Sequence, residues 1–361
     1  MARTSHEARS PRRIVVKAVN WLGDLVMSLP ALRAVREGFP SAYLGVMVRR
    51  ELAGFFDGIR WVDEVIAYET VRGLRAWPRH RQIVRELRRR EFELALLLPN
   101  SFESALWMAL ARIPQRIGYA TDGRGLLLTG RLRPAPDALN GHQSRYWLGL
   151  VRDGLGVAEA ETAGSARLTA NGADVSRMRS WLEGRRTRRG RPLVALAPAA
   201  AYGPAKEWPA ERFTELIDTL ARRAEAECVL IGTAAERDRC AAIAGAAAAR
   251  PIVAAGEISL RELIALLSLC DGFVGNDSGA MHVAAALGIA TVAVFGSTNP
   301  RRTGPRGPRV SVIQHPPPCS PCLQRHCRFG HYDCLKAVTV SEVAEELARL
   351  RALDPTAHER R

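Results

Sequence analysis

Short apolar runs alternate with segments of helical periodicity along most of the chain. The strand-like runs of the first half are residues 14–19, 43–48 and 94–98. Those of the second half are residues 193–197, 228–231, 272–275 and 291–295, and helical patterns occupy residues 210–223, 260–269 and 280–287. A strand-to-helix alternation of this kind predicts βαβ units and parallel sheets. We therefore expect an α/β fold made of Rossmann-like units.

The alternation is interrupted once, which predicts two domains. Residues 158–190 are rich in Ala, Gly, Thr and Arg, and 361 residues are too many for one ordinary core. The predicted parts are a basic tail (1–12), a first domain (13–165), an interdomain region (166–190), a second domain (191–338) and a C-terminal helix and tail (339–361). Two doubly wound units predict a ligand site in the cleft between them. Ser341 is the predicted N-cap of the last helix.

Composition and charge narrow the class of protein. Hydrophobic residues make up 47% and charged residues 25%, as in a globular chain. No run approaches the roughly 20 apolar residues of a membrane-spanning helix, and the N-terminus lacks a signal-peptide pattern, so we expect a cytoplasmic protein. The net charge of +15 favours an anionic partner. Without a zinc-finger, homeodomain or RNA-recognition motif, we expect no nucleic-acid partner.

The strongest chemical signal is the turn Gly-Asn-Asp-Ser-Gly-Ala-Met-His at residues 275–282, between an apolar strand and an Ala-rich helix. Free backbone N–H groups and the helix dipole at such a turn bind phosphate. Gly279 lets an anion approach the backbone, and Ser278 offers a hydroxyl donor. The alternative interpretation is structural: Asp277 or Ser278 caps the helix, and His282 is an interior histidine.

Two further turns follow predicted strands. Residues 198–209 contain Lys206, one of only three lysines, which could neutralise a departing diphosphate. Residues 20–24, Asn-Trp-Leu-Gly-Asp, end on Asp24, which could take a proton from an acceptor hydroxyl. Taken singly, Lys206 could instead be a solvated lysine and Asp24 a helix-capping aspartate. Together, a base, a cation and an anion-binding helix terminus suit displacement of a nucleotide diphosphate from a sugar.

These turns, with Leu-Pro-Asn-Ser-Phe at residues 98–102, resemble glycosyltransferase family 9, and within it the enzymes that add the second heptose of the lipopolysaccharide inner core. The resemblance runs from residue 14 to the last helix. It implies a GT-B fold, with an acceptor-binding first domain and a nucleotide-sugar-binding second domain. It also implies ADP-heptose as donor, a Kdo-lipid A acceptor already carrying one heptose, and inversion at the anomeric carbon.

The resemblance also implies roles for individual residues. Asp24 would be the general base and Lys206 would stabilise the diphosphate leaving group. The donor-binding residues would be Asp277, Ser278, Gly279 and His282, with Glu236 on the ADP ribose. The acceptor-binding residues would be Asn100, Ser101, Arg116 and Arg124. No Asp-x-Asp motif is present, so no metal cofactor is expected for catalysis. The basic segment 79–90 either faces the cytoplasmic surface of the inner membrane or is a solvated charged face.

Four of the seven cysteines cluster near the C-terminus. Cys319, Cys322, Cys327 and Cys334 lie in a loop at residues 316–334, and two histidines are interleaved with them. They predict either a closed structural zinc site or reduced structural thiols. The compact spacing differs from two well-separated zinc knuckles. The other three cysteines lie in apolar contexts typical of buried thiols.

Other activities remain as alternatives. A different family 9 heptosyltransferase, acting on the first or a later position, would share these motifs. A nicotinamide-dependent oxidoreductase would carry G-x-G-x-x-G after the first strand, and the turn after residues 14–19 lacks it. A non-catalytic nucleotide-sugar binding protein would leave Asp24 and Lys206 without a chemical role.

Overall fold

A computed structural model describes residues 10–70, 76–157, 167–187, 190–224 and 226–353. Residues 1–9 of the predicted basic tail and 354–361 of the predicted C-terminal tail lie outside these ranges. The chain divides into two compact units, Met1–Ala163 and Gly164–Arg361. None of the helices within the described ranges has the length and apolar composition that crossing a bilayer requires.

The first unit is a six-stranded parallel sheet with flanking helices. Its strands are β1 (Arg13–Lys17), β2 (Tyr43–Arg49), β3 (Glu64–Tyr68), β4 (Leu94–Leu97), β5 (Gln115–Tyr119) and β6 (Gly130–Leu132). Its helices are α1 (Leu22–Gly38), α2 (Ala76–Arg89), α3 (Phe102–Leu110), α4 (Pro136–Asn140) and α5 (Gln143–Leu155). The strand order is β3-β2-β1-β4-β5-β6, with every neighbouring pair parallel.

The second unit repeats this plan. Its strands are β7 (Leu193–Ala197), β8 (Glu227–Leu230), β9 (Ile252–Val253), β10 (Gly272–Asn276), β11 (Ala290–Val294) and β12 (Val310–Ile313). Its helices are α6 (Gly172–Glu183), α7 (Ala210–Arg223), α8 (Arg237–Ala246), α9 (Leu260–Ser268), α10 (Gly279–Ala286), α11 (Pro300–Thr303), α12 (Asp333–Lys336) and α13 (Val340–Ala352). The order β12-β11-β10-β7-β8-β9 is the same doubly wound arrangement. The predicted α/β fold of two Rossmann-like units is confirmed.

Burial explains why the strands appear in the sequence as continuous apolar runs. Helices cover both faces of a doubly wound sheet, so residues on both faces of the strand are apolar. Every residue of β7, β10 and β11 is buried accordingly. The order of each sheet reverses at one point, between β1 and β4 in the first unit and between β7 and β10 in the second. Ligands bind beyond the carboxyl ends of the strands at such reversals.

Two features of the second unit differ from the sequence interpretation. The segment predicted as interdomain contains α6, which packs on α9; Arg261 on α9 donates two hydrogen bonds of 2.9 Å to the buried Asp174 of α6. The N-cap of α13 is Thr339, so the prediction of Ser341 was wrong. Thr339 forms a capping box with Glu342, which satisfies two N–H groups at the helix start.

Candidate active site

In the first unit, Asp24 lies just beyond the carboxyl end of β1, where the strand order reverses. Trp21 is the N-cap of α1 and makes no side-chain capping bond, and Asp24 is in the first helical turn. The helix dipole favours a carboxylate there. Asp24 is therefore not the N-cap residue, and it is half-buried rather than fully enclosed.

The loop after β4, the other strand at this reversal, carries Asn100 and Ser101. Ser101 caps α3 by accepting a 3.2 Å hydrogen bond from the Ser104 N–H. The Asn100 side chain donates to the Tyr146 hydroxyl at 2.7 Å and accepts from Arg124 at 3.1 Å. Both ends of the Asn100 carboxamide thus have protein partners.

Arg124 is fully buried beneath this loop. Its guanidinium donates to the Pro99 and Tyr119 carbonyls as well as to Asn100. Burial lowers the pKa of Arg124 from its ordinary value. A guanidinium enclosed and saturated in this way holds the loop in place.

The structure does not bring Arg116 to this edge of the sheet. Arg116 is the second residue of β5, at the opposite end of the strands from Asp24. Its guanidinium donates to the Ile113 and Leu127 carbonyls. The sequence did not show where β5 begins and ends, so it could not show which end of the strand Arg116 occupies.

In the second unit, Lys206 and Asp277 meet at the reversal of strand order. Lys206 lies after β7 and Asp277 after β10, and Lys206 Nζ is 2.5 Å from Asp277 Oδ2. Only 13% of the lysine side chain and 5% of the aspartate side chain are exposed. Thr298, which follows β11, donates a 2.7 Å hydrogen bond to the same carboxylate oxygen. Thr298 was not identified from the sequence, although it lies, like the predicted site residues, in a turn of small polar residues that follows a strand.

The turn that carries Lys206 is held by the cysteine-rich loop. The Ala205 N–H donates to the Arg325 carbonyl at 3.0 Å, and the Tyr202 hydroxyl donates to the Leu323 carbonyl at 2.5 Å. Gly203 has φ of +139°, and a Cβ there would lie 2.7 Å from the Arg325 oxygen. Only glycine fits this position. The Tyr202 ring lies 4.7 Å from Lys206 Nζ and borders the ammonium.

The N-cap of helix α10 directly follows Asp277, the acidic member of this ion pair. Ser278 is the N-cap residue and Gly279 the first residue of the helix. The Ser278 hydroxyl is buried, and no protein group in the described ranges bonds to it. His282 is buried in the first turns of the same helix. An unpaired hydroxyl beside helical N–H groups provides donors for an anion.

Glu236 follows β8 at the same edge of the second sheet. Its carboxylate accepts a 2.7 Å hydrogen bond from the Thr233 N–H and forms a capping box with that residue. The structure therefore gives Glu236 a helix-capping role in the loop where the sequence predicted a ribose contact.

The cysteines fall into two groups. Cys228, Cys240 and Cys270 are buried, which raises the pKa of all three thiols, to about 12 for Cys228 and about 11 for Cys240. Their prediction as buried thiols is confirmed.

In the cysteine-rich loop, the thiols of Cys319, Cys322 and Cys327 are near enough to Cys334 to add to the burial that raises its pKa. Cys319 Sγ lies 3.9 Å from the His331 ring. Across the described ranges, however, no three His, Cys, Asp or Glu side chains form a group that could hold a metal ion.

Comparison with known proteins decides the family. The profile described as glycosyltransferase family 9 (heptosyltransferase) matches residues 80–333. The chain belongs to glycosyltransferase family 9. It is similar to lipopolysaccharide heptosyltransferase 2 of Salmonella typhimurium, at 31% identity over 94% of this chain and 98% of the relative.

Solved structures agree with this assignment. The structure of Escherichia coli ADP-heptose lps heptosyltransferase II is 27% identical, with a TM-score of 0.80 over 94% of this chain and 98% of that one. A family 9 structure from Veillonella parvula, at 20% identity and a TM-score of 0.83 over 95% and 98%, shares the fold. The predicted GT-B fold class and glycosyltransferase activity are confirmed.

Removing Arg124 tests whether it supports the loop after β4. Arg124→Ala leaves the Pro99, Tyr119 and Asn100 oxygens without their donor, so we expect the free energy of unfolding to fall by about 3–5 kcal/mol. The exposed Arg145 supplies the matched control, since Arg145→Ala should change it by less than about 0.5 kcal/mol. Urea denaturation measures both. Equal, small effects would contradict a supporting role for Arg124.

Proposed function

We propose that this chain transfers L-glycero-D-manno-heptose from ADP-heptose to the first heptose of the lipopolysaccharide inner core, with inversion at the anomeric carbon. Relatives named lipopolysaccharide or lipooligosaccharide heptosyltransferase 2 support the choice of acceptor, and the similar Escherichia coli structure described as an ADP-heptose lps heptosyltransferase II supports the choice of donor. The observation that carries the chemistry is the buried Lys206–Asp277 pair beside the start of α10.

The second unit supplies what a nucleotide diphosphate needs. In this proposal the Ser278 hydroxyl and the Gly279 N–H bind phosphate oxygens, and His282 lies behind them. Lys206 turns from Asp277 toward the diphosphate and neutralises the charge that develops as it leaves. Asp277 then accepts from hydroxyls of the transferred sugar and keeps its bond from Thr298. Protein groups take the place of a divalent cation.

The first unit supplies the base. The Asp24 carboxylate accepts the proton of the acceptor hydroxyl while that oxygen forms a bond to the anomeric carbon. The bond between this carbon and the diphosphate oxygen breaks on the opposite face, and its electron pair leaves with ADP. One displacement of this kind inverts the configuration.

The location follows from the substrate. A glycolipid acceptor lies in a membrane, so we propose that the protein acts at the cytoplasmic face of the inner membrane. Helix α2 would suit this surface because Trp77 is 62% exposed and most of the other side chains on the helix are polar or basic. Arginines near an anionic membrane surface attract the protein to it electrostatically, without insertion of the helix into the bilayer.

The acceptor assignment is tested by mass spectrometry of products. Purified protein is incubated with ADP-heptose and either Kdo-lipid A carrying one heptose or Kdo-lipid A carrying none. We expect a gain of one heptose on the first acceptor alone. A gain on the bare acceptor would instead indicate the first-heptose enzyme, and no gain on either would contradict the proposed function.

The base assignment is tested by Asp24→Asn, which keeps the shape of the side chain but cannot take the proton. We expect turnover to fall by about 10²- to 10⁴-fold while the affinity for ADP-heptose, measured by calorimetry, is retained. Asp153→Asn, at an exposed position of the same unit, should leave both unchanged. Turnover of Asp24→Asn close to that of the unaltered chain would remove Asp24 from this role.

A further inference from the structure

A buried lysine lies directly before the turn that leads to Asp24. Lys17, the last residue of β1, has no exposed surface. Its ammonium donates to the Ala18 carbonyl at 2.6 Å and to Asn20 Oδ1 at 3.2 Å, and it lies 4.9 Å from the centre of the Tyr68 ring. These hydrogen-bond partners are neutral oxygens. Lys17 is thus a cation placed among weakly compensating groups.

Burial is costly for such a group. It lowers the pKa of Lys17 from the ordinary 10.5 to about 7; the charge of Glu103 on α3 opposes this effect, and that of Arg49 on β2 adds to it. The other buried residues of β1 are Ile and Val, and an apolar residue at position 17 would continue that pattern. Because a buried cation of this kind lowers the stability of the fold, its presence at position 17 indicates a functional role.

The hydrogen bonds of Lys17 fix the orientation of the Asn20 side chain. An ammonium has only donors, and a neutral amine still has two, so Lys17 donates to the carbonyl oxygen of the carboxamide and not to its NH₂ group. The Tyr68 hydroxyl donates to the same oxygen at 3.0 Å. Tyr68 is itself held edge-on against Trp107, with ring centres 5.2 Å apart. Two donors on one oxygen direct the Asn20 NH₂ group away from both.

The position of Asn20 gives this orientation a use. Asn20 is half-buried, lies beyond the carboxyl end of β1 and is four residues before Asp24. We propose that the Asn20 NH₂ group binds an oxygen of the acceptor sugar near the hydroxyl that Asp24 deprotonates, and that Lys17 and Tyr68 are positioning residues that aim it. This inference rests on the proposed function and adds the residue that orients the acceptor.

Three variants separate binding from positioning. Asn20→Asp keeps the shape but removes both N–H donors, and we expect the KM for the acceptor to rise by about tenfold or more. Tyr68→Phe and Lys17→Met each remove one of the two bonds that aim Asn20, and we expect the acceptor KM to rise by about 3- to 10-fold. In all three, the affinity for ADP-heptose should be unchanged.

Thermal unfolding distinguishes this role from a purely structural one. Lys17→Met removes a desolvated charge, so we expect its unfolding midpoint to lie above that of the unaltered chain even though acceptor binding is weaker. Lys17 is protonated in the folded state only below about pH 7, whereas in the unfolded state it stays protonated up to about pH 10.5. The gain in midpoint should therefore be largest at or below pH 7 and shrink as the pH rises.

The decisive comparison uses Asn140→Asp, at an exposed position, as the matched control. Transfer by the unaltered chain reports on the proposed function by itself. Higher acceptor KM values in the three variants but not in the control, together with the raised midpoint of Lys17→Met, would support the inference. Unchanged acceptor KM values, or a lowered midpoint for Lys17→Met, would overturn it.

Discussion

The ion pair between Lys206 and Asp277 is the interaction on which the rest of the second unit's site depends. It joins the loops after β7 and β10 at the reversal of strand order, in a place where both side chains are largely withdrawn from water. Two such charges are tolerated together, whereas either one alone would be a buried charge without compensation. The pair therefore keeps an ammonium beside the start of α10, held ready for an anion. In the proposed reaction Lys206 leaves Asp277 and binds the diphosphate. Most of the site is therefore already arranged before the donor binds.

The two units solve the same problem with different chemistry. Each has the doubly wound strand order, and in each the residues of interest follow the two strands at the reversal. The second unit collects hydrogen-bond donors and a cation, which suit phosphate oxygens. The first unit presents Asp24 in the first turn of α1 and, four residues earlier in the chain, the Asn20 carboxamide, whose oxygen accepts from Lys17 and Tyr68. That division matches a reaction in which the donor releases an anionic diphosphate and the acceptor hydroxyl loses a proton.

Much of this could be predicted from the sequence, because continuous apolar runs indicate buried parallel strands and the turns after them indicate a site. What could not be predicted depends on three-dimensional packing. Arg124 and Arg116 looked alike in the sequence, yet one is enclosed beneath the loop after β4 and the other lies at the far end of β5. The importance of Lys17 was hidden because a lysine at the end of a strand is usually solvated. The clustering of the four C-terminal thiols followed from their spacing, whereas the contact of that loop with the Lys206 turn did not.

The most direct test of the account is the turnover rate of Lys206→Ala at saturating donor and acceptor. The exposed Lys336 offers the matched control, Lys336→Ala. We expect Lys206→Ala to lower turnover by about 10²- to 10³-fold because the leaving diphosphate loses its cation, and Lys336→Ala to behave like the unaltered chain. Turnover of Lys206→Ala within about twofold of the control would contradict leaving-group stabilisation by this lysine and, with it, the proposed use of the buried ion pair.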